Sequence, residues 1–257
     1  MRSAPSSPGL LDQRGRRALI TGGASGIGEA CAHALAERGA HVIIADVDDV
    51  AAKQVAAQCN GEAWRIDLLD TTELDDLRLD VDILVNNAGI QSVAPIEEFE
   101  PETFRRMHRL MVEAPFLLIR AALPRMYANG FGRIINISSV HGLRASAYKS
   151  AYVSAKHALE GLSKTVALEG ASKGVTSNCV NPGYVETELV RTQIADQAKV
   201  HDISEDEVVE KVMLTESAIK RLAQPAEVGS LVAWLASADA GMVTGSSYPM
   251  DGGWTAS

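Results

Sequence analysis

Thr21-Gly22-Gly23-Ala24-Ser25-Gly26-Ile27-Gly28 follows directly on an aliphatic run, Arg17 to Thr21, and leads into an apolar-periodic stretch through Ala30, Ala34 and Leu35 that stops at Gly39. A short β-type run, a glycine cluster and a helix, in that order, predict a strand-to-helix turn. Its backbone N–H groups can come close to a pyrophosphate because no Cβ stands in the way. Tight turns need glycine for other reasons too, so the flanks carry the argument. Working outward, the next aliphatic run, His41 to Asp46, ends on a carboxylate 18 residues after Gly28. A carboxylate there accepts hydrogen bonds from the adenosine ribose hydroxyls and repels a 2′-phosphate, which favours NAD over NADP. The plain alternative is a strand-end turn residue.

Asp82 to Asn86, Arg133 to Ser138 and Val175 to Asn181 repeat the aliphatic pattern between helix-period segments. Glu62 to Ile66 and Ser246 to Met250 add two more runs, giving about seven strands in one parallel α/β sheet buried on both faces. No linker divides the chain, so residues 17–257 read as a single domain and residues 1–16 as a flexible N-terminal arm. The polar stretch from Glu186 to Ser217 breaks the alternation, and Ser204 with Glu207 forms a capping box that starts a helix. Residues 184–217 therefore read either as a small helical substrate lid or as a solvated surface excursion.

Composition narrows the function. A chain of 257 residues with 46% hydrophobic and 22% charged side chains can bury a sizeable core. Its net charge of −9, with no compensating basic cluster, argues against nucleic acid as a partner. Cys31, Cys59 and Cys179 are odd in number and widely spaced, which suggests neither disulfides nor a metal site. Residues 1–16 contain too short an apolar run for a signal peptide, and no later run spans a bilayer, so a cytoplasmic protein is expected.

The glycine spacing is TGxxxGxG. Together with Asn86-Asn87-Ala88-Gly89, Ser139 and Tyr152-Val153-Ser154-Ala155-Lys156 in that order, it resembles the short-chain dehydrogenase/reductase superfamily from about Arg17 to Trp254. The resemblance implies one doubly wound, Rossmann-type domain that assembles as a homotetramer. It also implies a dinucleotide site made of Thr21, Gly22, Ser25, Gly26, Ile27, Gly28, Asp46, Asp67, Leu68, Asn86, Ala88, Gly89, Tyr152, Lys156, Pro182, Gly183, Val185 and Thr187. Within that set Asp67 would border the adenine, Asn86 the adjoining ribose, and Pro182, Gly183 and Thr187 the nicotinamide end.

Tyr152 and Lys156 are four apart and share a helix face. An ammonium beside a phenol favours the phenolate and lowers a pKa otherwise near 10. Tyr152 then serves as general base for alcohol oxidation and general acid for ketone reduction, while Ser139 donates a hydrogen bond to the substrate oxygen.

Gln91, His141, Lys149, Gln193 and the ending Asp251-Gly252-Gly253-Trp254 make the chain similar to bacterial D-3-hydroxybutyrate dehydrogenases. In that family the first four gather on the carboxylate of a short hydroxy acid, as a small anion requires, since it offers little area to bury. Tyr184 stands where the family more often has Trp, at a methyl-sized pocket. Singly, each of these residues has a plain surface or loop reading. The resemblance implies reversible oxidation of (R)-3-hydroxybutyrate to acetoacetate. A 3-oxoacyl thioester reductase and a non-catalytic NAD-binding protein are the alternatives. Two departures stand out: a short segment between Asp67 and Asn86, and Met111, where the superfamily has an asparagine supporting a proton relay. Met111 lies at helical spacing with Phe104 and Met107, which reads as core. Pro115, lacking an N–H, leaves the carbonyl of Met111 without its helical donor.

Overall fold

Side chains along β1 (Arg17–Thr21) point alternately to the two faces of a sheet, and both faces are apolar. Ala18 and Ile20 join one buried cluster and Leu19 the other. A strand of that kind is covered by helices on both sides. The computed structural model describes residues 11–188, 190–192, 194, 198 and 203–256. After β1 come α1 (Gly26–Ala36), β2 (His41–Asp46), α2 (Asp49–Gln58), β3 (Glu62–Arg65), β4 (Ile83–Asn86), α3 (Pro101–His108) and α4 (Ala114–Asn129). The second half adds β5 (Gly132–Ile137), α5 (Ser150–Gly170), β6 (Val175–Pro182), α6 (Glu205–Val208), α7 (Pro225–Leu235) and β7 (Ser247–Met250).

The seven strands lie in the order β3-β2-β1-β4-β5-β6-β7, all parallel, and each falls within one residue of its sequence-predicted limits. On one face Leu35 of α1, Val55 of α2 and Val232 of α7 pack against Ile20, Ile44 and Val85. On the other, Leu118 and Met126 of α4 and Val166 of α5 cover Leu19, Leu84 and Ile134. The chain runs outward from β1 to β3 and then crosses to β4. The ends of β1 and β4 therefore diverge into the crevice where such sheets bind ligands.

The short segment before β4 holds one 3₁₀ turn, Thr71–Leu74, whose Leu74 is buried. α3 and α4 form one rod interrupted by a π-helical turn at Arg109–Glu113, where Ala114 N–H reaches back five residues to Arg109 O. Pro115 sits just beyond it, and the wider turn accommodates a residue that cannot donate. Met111 is core, as expected: 1% exposed, against Met107, Ala151 and Ala155.

Ser204 Oγ accepts from Glu207 N–H at 3.3 Å while Glu207 Oε2 accepts from Ser204 N–H at 3.0 Å, so the expected capping box is present. In this segment Val190, Ile194, Val208, Met213 and Leu214 form a small cluster of their own with Tyr184. At the N-terminus residues 1–10 lie outside the described residues. Gln13 is buried, with its N–H donating to Arg38 O and its amide to Ala233 O. Among the described residues no helix is long and apolar enough to cross a membrane.

Candidate active site

The crevice opens into a cleft of about 490 Å³ at the carboxyl ends of the strands. Its floor is the glycine turn. Gly22 has φ +60°, open to glycine at little cost. A Cβ on Gly28 would overlap the carbonyl oxygen of Gly22, so the first turn of α1 lies against the turn backbone only because position 28 is bare. Thr21 Oγ1 accepts from the N–H groups of Asn87 (2.9 Å) and Ala88 (3.1 Å), which ties the turn to the end of β4. The Asn87 amide donates to Thr21 O and Gly22 O, both at 3.0 Å. At the far end of the turn Asp46 Oδ2 accepts from Ala24 N–H (3.1 Å) and Oδ1 from Asp48 N–H (3.1 Å). Asp67 Oδ1 accepts from Leu69 N–H at 2.9 Å.

Of the predicted dinucleotide set, Gly22, Ser25, Ile27, Asp46, Asp67, Leu68, Ala88, Gly89, Tyr152, Lys156, Pro182, Gly183, Val185 and Thr187 line the cleft. Thr21, Gly26 and Gly28 stand behind the lining as its frame. Asn86 does not line it either: it pairs in register with Asn136 and donates to its Oδ1 at 2.8 Å inside the sheet. Its neighbour Asn87 is the asparagine at the cleft. Strand alternation explains the exchange, since successive side chains leave a strand on opposite sides.

The bare glycine floor and the Asp46 carboxylate suit a dinucleotide. So does Ser138 Oγ, which lies buried at the cleft wall without a hydrogen-bond partner among the described residues. Those described residues contain no cluster of His, Cys, Asp and Glu that would hold a metal.

The reacting end is assembled from β5, β6 and α5. Lys156, 4% exposed, donates to Ile137 O at 2.7 Å, and burial lowers its pKa to about 8. Tyr152 lies one helical turn earlier, its ring centroid 5.5 Å from Lys156 Nζ. Sequence reasoning expected Lys156 to lower the phenol. Burial instead raises Tyr152 above the ordinary value, opposed by its hydrogen bond to Ser139. Behind the site lies a network that sequence reasoning missed. Asn181 Nδ2 bridges Ser139 O and Glu160 Oε1, and Ser247 Oγ donates to Glu160 Oε2 at 2.7 Å. The spacing of four between Lys156 and Glu160 was the available signal.

Gln91, His141, Lys149, Tyr184 and Trp254 all line the cleft; Gln193 lies outside the described residues. The rings of Tyr184 and Trp254 are nearly parallel at 6.3 Å, and His141 stands edge-on to Trp254 at 5.7 Å. Lys149 Nζ lies 5.8 Å from the Tyr184 ring centroid, and burial lowers its pKa. Tyr148, just before it, has φ +66°, a strained backbone for a bulky residue, with its carbonyl accepting from Ala94 N–H at 3.0 Å. Burial, with Lys149 and His157 adding like charge, lowers His141 to about 4.

A family model described as "Enoyl-(Acyl carrier protein) reductase" matches residues 22–255. The chain is 44% identical to a D-beta-hydroxybutyrate dehydrogenase of Rhizobium meliloti (strain 1021), over 94% of this chain and 99% of that one. It is 41% identical to the enzyme of the same name from Cupriavidus necator, over 94% and 98%. A solved structure from Agrobacterium tumefaciens with bound NADP matches with a TM-score of 0.86 at 31% identity, over 97% of this chain and 100% of that one. Its strand order, its glycine turn, the Ser139, Tyr152 and Lys156 constellation and these relatives together make the chain an oxidoreductase of the short-chain dehydrogenase/reductase family.

Proposed function

We propose that the protein interconverts (R)-3-hydroxybutyrate and acetoacetate with NAD(H). The observation that carries this reading is Lys149, a half-buried ammonium at the reacting end of the cleft, with no carboxylate partner among the described residues. A cation held in that state is matched by a substrate that brings its own anion, and Gln91 lines the same cleft. Tyr184 and Trp254 leave an aromatic slot suited to the short alkyl end. Val185, Thr187 and Val190 line the cleft from the segment 184–217, which in this reading closes over the substrate as a lid.

Bound in the cleft, the nicotinamide ring supplies the hydride acceptor. Tyr152 takes the alcohol proton, and Ser139 donates to the substrate oxygen as it becomes carbonyl. Lys156 adds positive charge in a cleft wall where charge is poorly screened. NAD is favoured because the Asp46 carboxylate would face the 2′-phosphate of NADP. Replacing Asp46 by Ser should therefore raise activity with NADP relative to NAD. Equal use of NADH and NADPH by the unmodified enzyme would sink this assignment.

For the substrate, Lys149→Ala should cost about 1.5 to 3 kcal/mol, roughly ten- to a hundredfold in KM, for 3-hydroxybutyrate. The methyl ester should be little affected, and equal losses for acid and ester would remove the carboxylate clamp. The deciding assay is NAD reduction across C3 to C6 hydroxy acids of both hands. Activity confined to NADPH and a 3-oxoacyl thioester would overturn the reading. Exposed Phe116 and Leu168, on α4 and α5, are apolar surface that assembly into a homotetramer would cover.

A further inference from the structure

His141 is 6% exposed, and both its ring nitrogens have partners inside the protein. Nδ1 lies 3.3 Å from Ser139 Oγ, and Nε2 lies 2.9 Å from Ser146 Oγ. Ser139 in turn is hydrogen-bonded to Tyr152. Ser146 is half-buried between exposed Ala145 and Ala147, at the surface end of this line and outside the cleft lining. Tyr152 also packs against Met107, Met111, Ala151 and Ala155, and Lys156 donates to the carbonyl of Ile137. The methionine and alanine side chains offer no exchangeable group, and the Ile137 carbonyl holds one of the three Lys156 N–H groups. Glu160, the nearest carboxylate behind Lys156, is 5% exposed, with its two oxygens taken by Asn181 and Ser247.

We propose that Ser139, His141 and Ser146 form a proton wire joining the Tyr152 hydroxyl to solvent, so that the apolar wall at Met111 does not stop turnover. The proposal rests on Tyr152 as the acid–base group of the preceding reading. In oxidation the alcohol O–H proton passes to the Tyr152 phenolate oxygen as the C–H hydride leaves. Tyr152 O–H then gives its proton to Ser139 Oγ while Ser139 gives its own to His141 Nδ1. His141 Nε2–H passes to Ser146 Oγ, and Ser146 releases a proton to water. One proton enters the wire and one leaves it. The imidazole is left as its other tautomer, and it regains the first when the ring turns out of the wire, gives its Nδ1 proton to water and takes a proton from water at Nε2. Reduction runs the same steps backwards. The imidazole must begin neutral for this exchange, and its depressed pKa keeps it so at neutral pH.

Ser146→Ala is the discriminating variant, because Ser146 touches no substrate. It should lower kcat roughly ten- to a hundredfold, with KM unchanged, for 3-hydroxybutyrate and for its neutral methyl ester alike. The solvent isotope effect on kcat should grow, and small buffer acids and bases should restore the rate. His141→Ala should lose kcat with both substrates and be rescued by free imidazole. Nitrogen-15 NMR of the cofactor-free protein should show a neutral His141 ring at neutral pH, and Ser146→Ala should shift its Nε2 signal. Wild-type kcat in Ser146→Ala, or a His141→Ala defect confined to KM for the acid, would overturn the wire. So would a His141 ring doubly protonated at neutral pH, or a severalfold rise in kcat on Met111→Asn alone, which would place the limiting route on the other side. If only the acid proves a poor substrate while the ester arm behaves as described, the substrate reading fails and the wire stands.

Discussion

Tyr152→Phe lowers kcat roughly 10²- to 10⁴-fold, the usual value of a positioned proton donor or acceptor, and leaves dinucleotide affinity unchanged. The substitution removes one oxygen and keeps the ring, so the edge contact with His141 at 5.9 Å survives and α5 packs as before. The loss should be as large for reduction as for oxidation, since one oxygen serves both directions. The pH response should differ between them. Burial raises the Tyr152 phenol, so the neutral form that donates is plentiful at neutral pH, and oxidation, which needs the phenolate, speeds up as pH rises. Steady-state rates in both directions, with fluorescence titration of NADH, test this. Near-wild-type turnover in the variant would take Tyr152 out of the proton step.

Gly28→Ala should damage the other end of the cleft almost as severely. One methyl at position 28 would overlap Gly22 O and come within 2.6 Å of Asn87 Nδ2, the amide that bonds both Thr21 O and Gly22 O. Overpacking of this kind costs about 1 to 3 kcal/mol, and losing the clamp adds about 1 kcal/mol for each hydrogen bond. Displacing the start of α1 also moves the N–H groups that face the pyrophosphate. A shift near 1 Å far from the chemistry can cost about a hundredfold, so kcat/KM for the dinucleotide should fall by that order. Circular dichroism should still show a folded protein with a lowered melting temperature. Wild-type affinity for NADH would mean that the turn has room the geometry denies it.

The central strands were legible because they are buried along their whole length, so runs such as Ile83–Asn86 and Gly132–Ile137 are dominated by aliphatic residues. The glycine turn was legible for the opposite reason: few sequences place bare backbone between a strand and a helix. Side-chain direction at a strand's end was harder to read, and Asn86 and Asn87 exchanged places for that reason. The behaviour of Tyr152 was also beyond reach. A spacing of four places Lys156 on the right face but does not say how deeply the fold will bury the phenol, and burial is what raises it. Glu160 escaped notice because a carboxylate on a long helix reads as solvated. Only the fold brings Asn181, from β6, and Ser247, from β7, onto its oxygens.

The central place of β1 has a consequence for the growing chain. Synthesis delivers β1, β2 and β3 together, and they can pair as soon as residue 65 is made. β4, which completes β1, comes only with residues 83–86, and β5 to β7 come later still. Until then the free edge of β1 offers unpaired N–H and C=O groups beside Ala18, Leu19 and Ile20, all of them buried in the finished molecule. An open apolar edge is a template for pairing with another chain, and parallel pairing across long connections forms slowly. The half-made sheet is thus a stage at which this protein is exposed to aggregation.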